Sequence, residues 1–489
     1  MSLNNFVKTI QNIMRKDAGV NGNAQRIEQM AWILFLKIYD HQEKNWEFDD
    51  DNYKSIIPEE LRWRNWAIDN RDGKALTGDD LLDFVNNKLF PCLKNLELNE
   101  YSKRNEIIVK EVFEDNNNYM KDGVLLRQVV NVIDDLNLAN QEYKHAFGEI
   151  YERILKDLQN ARDSGEFYTP RAVTDFMAIM LEPQLTDKIA DFACGTGGFL
   201  TSVLKLLDGK VISSEDRDLY KESVYGIEKK PLPYMLCVTN MLLHNIDNPN
   251  IIHGNSFTIK HVRDYTDEEK FDVVIMNPPF GGNENKSVQN NFPNDLRSAE
   301  TADLFMSVIM YRLKKNGRAA VILPDGFLFN TDNIKVSIKK KLLSEFNLHT
   351  IIRLPPSVFS PYASIATNIL FFENTHPTEE TWFYRVDMPE GYKHFSKTKP
   401  MRLEHFNEAT EWWDNKKAIE VDGFDKARKY TIQEIIENDY DLDLCGFPHK
   451  EEEILPPREL IAHYQKEKAR LNVQIDETLD EIKRILDIE

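Results

Sequence analysis

Apolar positions recur at helical spacing through the first third of the chain. Ile27, Met30, Ala31, Leu34 and Ile38 share one face of the segment from Ala24 to Tyr39, and Leu81 to Phe90 and Val124 to Ile133 repeat that spacing. Polar runs at Asp49 to Tyr53 and Asn116 to Asn118 read as loops, so residues 1–145 are predicted to form a helical domain with a structural or partner-binding role. His145 to Leu158 is a further amphipathic segment, with Ile150, Ile154, Leu155 and Leu158 inward.

Beyond residue 185 the pattern changes. Short apolar runs, each closed by a polar residue, alternate with helical stretches. Ile189 to Asp191 is followed by helical Phe199 to Leu207, Val224 to Glu228 by Pro233 to His244, and Ile251 to Phe257 carries Asn255 at a third strand end. Phe271 to Met276 stops at Asn277. Helix Asp303 to Lys314, strand Gly317 to Pro324 and the runs Leu348 to Leu354 and Thr367 to Phe372 complete the series. Such alternation predicts an α/β, doubly wound sheet over residues 146–400, with the candidate site residues at strand ends. Residues 401–455 read as an extension. After Pro456-Pro457, residues 456–489 place Ile461, Tyr464, Leu471, Ile475, Leu479, Ile482 and Leu486 on one side of a long amphipathic helix of coiled-coil character. Packing on its own domain and docking onto another chain are both open for that helix.

Composition narrows the class. With 489 residues, 42% of them hydrophobic, the chain can fill two or three cores. The apolar stretch Ala31 to Ile38, with Lys37 inside it, is too short to span a bilayer, and the first residues do not resemble a cleavable signal, so no membrane and a cytoplasmic location are expected. Cys92, Cys194, Cys237 and Cys445 have no paired spacing, which argues against a zinc site or a disulfide framework. A formal charge of −20, from 81 acidic against 61 basic residues, repels polyanions, so any nucleic-acid contact must be local or supplied by a partner.

The candidate chemistry lies at the strand ends. Thr169 and Pro170, within Gly165-Glu166-Phe167-Tyr168-Thr169-Pro170-Arg171, read as N-cap and first residue of a helix reaching Leu181, whose start suits a carboxylate. Asp191 precedes a glycine turn, Phe192-Ala193-Cys194-Gly195-Thr196-Gly197-Gly198-Phe199, whose backbone can approach a ligand closely. The acid favours a ligand carrying positive charge. A dinucleotide site is the competing reading, although Leu200 takes the place of the third glycine in G-x-G-x-x-G. Glu228 stands where a βαβ unit puts a ribose-binding carboxylate. With Lys230 after it and Asp218 before it, Glu228 also fits a nuclease-like E-x-K. At Asn277-Pro278-Pro279-Phe280 the prolines stop the strand and remove N–H donors, leaving the Asn277 side-chain oxygen and the Pro278 carbonyl as acceptors for two hydrogens on one atom. An exocyclic amino group on a flat ring is such a substrate, and Phe280 could stack on its face. The run Gly281 to Pro293 has no hydrophobic period and is expected to be a mobile loop.

GEFYTPR, DFACGTGGF, GIE and NPPF, in this order, resemble the S-adenosylmethionine-dependent amino methyltransferases of DNA. FGEIYERIL, LPDGFLF and LPPSVFSPYASIATNILFF narrow the resemblance to the methylation (M) subunit of type I restriction–modification systems, over nearly the whole chain. NPPF alone is shared with RNA and protein-glutamine methyltransferases, so a self-sufficient enzyme of those kinds and an inactive scaffold stay as alternatives.

The resemblance implies a Rossmann-like methyltransferase sheet with S-adenosyl-L-methionine held between three segments. Glu166, Phe167, Tyr168, Thr169, Pro170 and Arg171 would hold its methionine end. Asp191, Ala193, Gly195, Thr196, Gly197, Gly198 and Phe199 would hold amino group and backbone, and Glu228 the ribose hydroxyls. Asn255 stands where relatives often carry Asp beside the cofactor adenine. Asn277, Pro278, Pro279 and Phe280 would hold a flipped adenine for N6 methylation, and no metal is implied. The implied partners are double-stranded DNA, a specificity (S) subunit that selects the site, a restriction (R) subunit, and a second copy of this chain per specificity subunit. No G-x-x-x-x-G-K-[ST] phosphate loop occurs in the sequence, so ATP-driven translocation and cutting would belong to the restriction subunit.

Overall fold

A computed structural model describes residues 3–69, 73–136, 169–359, 366–396 and 399–447, and from the C-terminal helix 461, 464–466, 468–473, 475–476 and 478–479. The amphipathic segment His145 to Leu158, Glu166 to Tyr168, Ile482 and Leu486 lie outside the described residues.

One ten-stranded sheet organises residues 169–447, in the order β3-β2-β1-β4-β5-β7-β6-β8-β10-β9. Its strands are β1 Ile189–Asp191, β2 Val224–Glu228, β3 Asn250–His253, β4 Phe271–Met276, β5 Leu313–Pro324, β6 Asn347–Arg353, β7 Thr367–Glu373, β8 Glu380–Arg385, β9 Ile419–Val421 and β10 Phe424–Thr431. The first five pair in parallel, and β7 enters antiparallel between β5 and β6. The expected doubly wound sheet is thus present, lengthened by β8 within the same domain and by β9 and β10 in the region that reads only as an extension.

Side chains of adjacent residues point to opposite faces of the sheet. Val273, Ile275, Ala320 and Ile322 enter one core with Phe176, Leu200 and Met235, while Val274, Met276, Val321 and Leu323 enter another with Leu304, Ile309, Ile338 and Leu342. Both faces are covered, which is why these strands read as unbroken apolar runs.

The N-terminal helices join the first of these cores. The helix Gly22–Asp49 is longer than its periodicity predicts, because the apolar face shared by Ile27, Met30 and Ile38 extends beyond Tyr39 into polar contacts. There Gln42 Nε2 donates to the Leu242 carbonyl at 2.7 Å and Trp46 Nε1 to Asp247 at 3.0 Å. Arg104 donates to the Ile251 carbonyl, and so satisfies an acceptor on the sheet edge that β3 would otherwise expose. No helix among the described residues is long and apolar enough to cross a membrane. The C-terminal residues 446–489 form a compact unit of their own, in which Ile461, Tyr464, Leu471, Ile475 and Leu479 are exposed.

Candidate active site

Parallel pairing brings the polar strand ends to one rim. Asp191 closes β1 opposite Gly226, and Glu228 closes β2 opposite His253. Ala190 lies opposite Val274, so Asn277 sits two residues, about 7 Å, farther along the strand direction than Asp191's own level. The carboxylates and the amide therefore lie along the same rim of the sheet.

The glycine turn is built on the first two strand ends. Gly195 (φ 53°) and Gly197 (φ 83°) are left-handed, a conformation other residues adopt at a cost of about 1–2 kcal/mol. Gly195 N–H donates to Glu228 Oε2 at 2.9 Å and Lys230 N–H to Oε1 at 2.7 Å, so this carboxylate is clamped by backbone on both oxygens. Asp191 accepts from Ala193 N–H at 3.0 Å. Burial pushes the Asp191 carboxyl up to about 8, against that hydrogen bond and with help from the neighbouring Glu228 charge. Arg171 donates to the Gly198 carbonyl at 2.9 Å and the Thr201 hydroxyl at 2.6 Å, bracing the start of the helix Arg171–Leu181 against that of Gly198–Asp208. Burial lowers its pKa. Asn240 Nδ2 donates to the Thr196 carbonyl at 3.3 Å, and Phe199 is buried in the core beneath.

At the fourth strand end, Asn277 Nδ2 donates to the Thr169 hydroxyl at 3.0 Å. Its Oδ1 is buried and has no hydrogen-bond partner among the described residues. A desolvated acceptor of this kind costs about 1–3 kcal/mol when left unmet, which marks it for an incoming donor. Pro278 is buried, Pro279 exposed and Phe280 half-buried, with its ring set edge-to-face on Phe359 at 6.3 Å between centroids. Just past β5, Asp325 opens the short helix Asp325–Phe329, accepts from Asn368 of β7 at 2.6 Å and pairs with Arg353 at the end of β6, which also pairs with Asp443.

Two features differ from the sequence-based expectation. Thr169 does not cap the following helix: Pro170 occupies the cap position, no side chain caps it, and the Thr169 hydroxyl serves Asn277 instead. The run Gly281 to Pro293 is not a free loop. Asn283 bridges Glu300, Asn285 caps the short helix Lys286–Gln289, and buried Val288 and Phe292 anchor it, two apolar positions too few to show as a period. Cys194 and Cys237, far apart in sequence, are free thiols whose sulfurs lie 3.7 Å apart beneath the glycine turn. Asn255 lies two residues past β3, where its Oδ1 accepts from Phe257 N–H at 3.0 Å.

A carboxylate-rimmed glycine turn beside a buried amide acceptor, on a sheet with an antiparallel seventh strand, defines an amino-directed methyltransferase. Residues 142–454 match the family model for N-6 DNA methylase, and residues 3–133 that for the HsdM N-terminal domain. The methylase subunit of the type I restriction enzyme EcoEI from Escherichia coli is 46% identical over 494 residues, covering 99% of this chain and 98% of that protein. A solved modification subunit assigned to a type I restriction enzyme of Vibrio vulnificus YJ016 is 39% identical, with a TM-score of 0.78 over 88% of this chain and 92% of its own. A chain from structural work on complex assembly of the type I R-M system is 34% identical, with a TM-score of 0.80 over 99% and 98%. The chain belongs to the methylase subunits of type I restriction enzymes, and is an adenine-specific DNA methyltransferase.

Proposed function

We propose that this chain transfers a methyl group from S-adenosyl-L-methionine to the N6 amino group of an adenine turned out of double-stranded DNA, at a site chosen by a separate specificity subunit. The observation that carries the reading is the buried Oδ1 of Asn277, without a hydrogen-bond partner among the described residues, at the rim shared with Asp191 and Glu228.

The residues fit the cofactor by their chemistry. Asp191 suits a cationic amino group, Glu228 a pair of hydroxyls, and a Cβ added to Gly195 would meet no atom within 4 Å, so backbone there is open to close approach. Arg171 begins the helix that would face the cofactor's carboxylate, and Asn255 retains an amide nitrogen to offer the cofactor adenine. When bound, the cofactor supplies an electrophilic methyl group on a sulfonium. The chain's own residues do the rest. An adenine amino group is a poor nucleophile because its lone pair is delocalised into the ring. Hydrogen bonds accepted by Asn277 Oδ1 and the Pro278 carbonyl localise that lone pair. The proton leaves after transfer, so these groups position the amine and need not act as bases. Extruding the adenine costs a few kcal/mol, partly offset by stacking on Phe280.

The charge of −20 and the exposed apolar residues of the C-terminal helix support a subunit that depends on others. In this reading the helix docks on the specificity subunit, two copies of this chain share one such subunit, and a restriction subunit completes the assembly in the cytoplasm. Labelled methyl transfer to an adenine-bearing duplex, with and without the specificity subunit, tests it. Incorporation is expected only with both, whereas equal incorporation by the isolated chain on RNA or protein would replace this reading.

A further inference from the structure

Asn277 carries a hydrogen-bond acceptor and a donor of nearly equal size on one carbon, and only the acceptor can receive an amino group. We infer that Thr169 is a positioning residue for methyl transfer, holding Asn277 Nδ2 so that Oδ1 is the atom presented to the target adenine. This deepens the proposed reading and rests on it.

Two features of the structure carry the inference. The Thr169 hydroxyl is 3.0 Å from Asn277 Nδ2, although the residues are 108 positions apart, and Oδ1 on the other side of the amide is buried without a partner among the described residues. Thr169 also stands at a helix start, where its residue type would ordinarily cap the first turn for about 1 kcal/mol. It does not. The cap position falls to Pro170 with no side-chain cap bond, and the Val173 and Thr174 N–H groups both reach the Pro170 carbonyl. The segment is in turn pinned by Arg171 on Gly198 and Thr201, so the hydroxyl is a fixed reference point for the amide.

The Thr169 hydroxyl can donate or accept, and with the amine donating to Oδ1 it is left to accept from Nδ2, as it does here. Turning the amide over sets Nδ2–H against the amine, donor against donor, and loses the acceptor altogether.

The test uses the chain assembled with its specificity subunit, a duplex carrying the target adenine, and the same duplex with unsubstituted purine, which lacks the amino group, at that position. Thr169→Val is expected to lower kcat by about tenfold or more and to shrink the preference for adenine over purine in equilibrium binding, while Thr169→Ser restores both to within about threefold. An Asn277→Asp background removes the ambiguity of the amide, because both carboxylate oxygens accept; there, at saturating cofactor, the loss of kcat on adding Thr169→Val is expected to be at least about threefold smaller than in the Asn277 background. An equal loss in both backgrounds, or unchanged turnover and preference in Thr169→Val, overturns the inference. Should Thr169→Val fail to fold, judged by its melting, Thr169→Ala and Thr169→Ser carry the same comparison. Turnover by Asn277→Ala strikes instead at the reading beneath it. An inactive Asn277→Ala beside an unimpaired Thr169→Val removes only the positioning role.

Discussion

Glu228 Oε2 accepts the Gly195 N–H at 2.9 Å across 33 positions of sequence, tying the end of β2 to the glycine turn after β1. With Lys230 N–H on Oε1, the carboxylate is oriented before any ligand arrives. In Glu228→Gln the new amide NH2 must oppose one of these two backbone donors, a mismatch of about 1–3 kcal/mol. Cofactor affinity, measured by calorimetry, is expected to fall about tenfold or more, while kcat at saturating cofactor changes little.

Asp191 predicts a pH dependence of cofactor binding. Its carboxyl is raised to about 8 by burial, so at neutral pH it largely holds a proton. A cationic ligand prefers the carboxylate and competes with that proton. Affinity should therefore strengthen by up to about tenfold per unit as pH rises from about 6 toward about 7.5, and level off as pH passes the raised value. The same slope is expected to vanish in Asp191→Asn. A flat profile in the unaltered chain would exclude Asp191 from the cofactor's charged contacts.

Gly197 combines a left-handed backbone with a tight neighbour: an added Cβ would lie 3.0 Å from Cys237 Sγ. Gly197→Ala is expected to destabilise the chain by about 1–2 kcal/mol and to weaken cofactor binding through displacement of the turn. Adding Cys237→Ala relieves the contact but not the φ, so thermal unfolding should recover only in part.

The strand ends are legible in the sequence for a physical reason. β1, β2 and β4 are buried on both faces, so their apolar runs stop abruptly at Asp191, Glu228 and Asn277, and the strand bounds Ile189–Asp191 and Val224–Glu228 match the expected ones. β10, Phe424–Thr431, is exposed at half of its positions and sets the charged pairs Asp425-Lys426 and Arg428-Lys429 between single apolar residues, so neither an apolar run nor an alternation marks it. Local sequence is also silent on pairings made by the fold. Thr169 looks like a cap because its neighbours are those of a helix start, and nothing within that segment reveals Asn277. Cys194 and Cys237 look unrelated because a turn and a helix, rather than a spacing, bring them together. Buried Val288 and Phe292 fall in a run otherwise polar enough to read as loop.

In the proposed reaction the adenine amino group donates to Asn277 Oδ1, a contact probed by methyl incorporation by Asn277→Ala, assembled with the specificity subunit, alongside cofactor binding by the same protein. Transfer is expected to fall by about a hundredfold or more with cofactor affinity within about threefold of the unaltered chain. Substantial turnover by that variant would contradict the account.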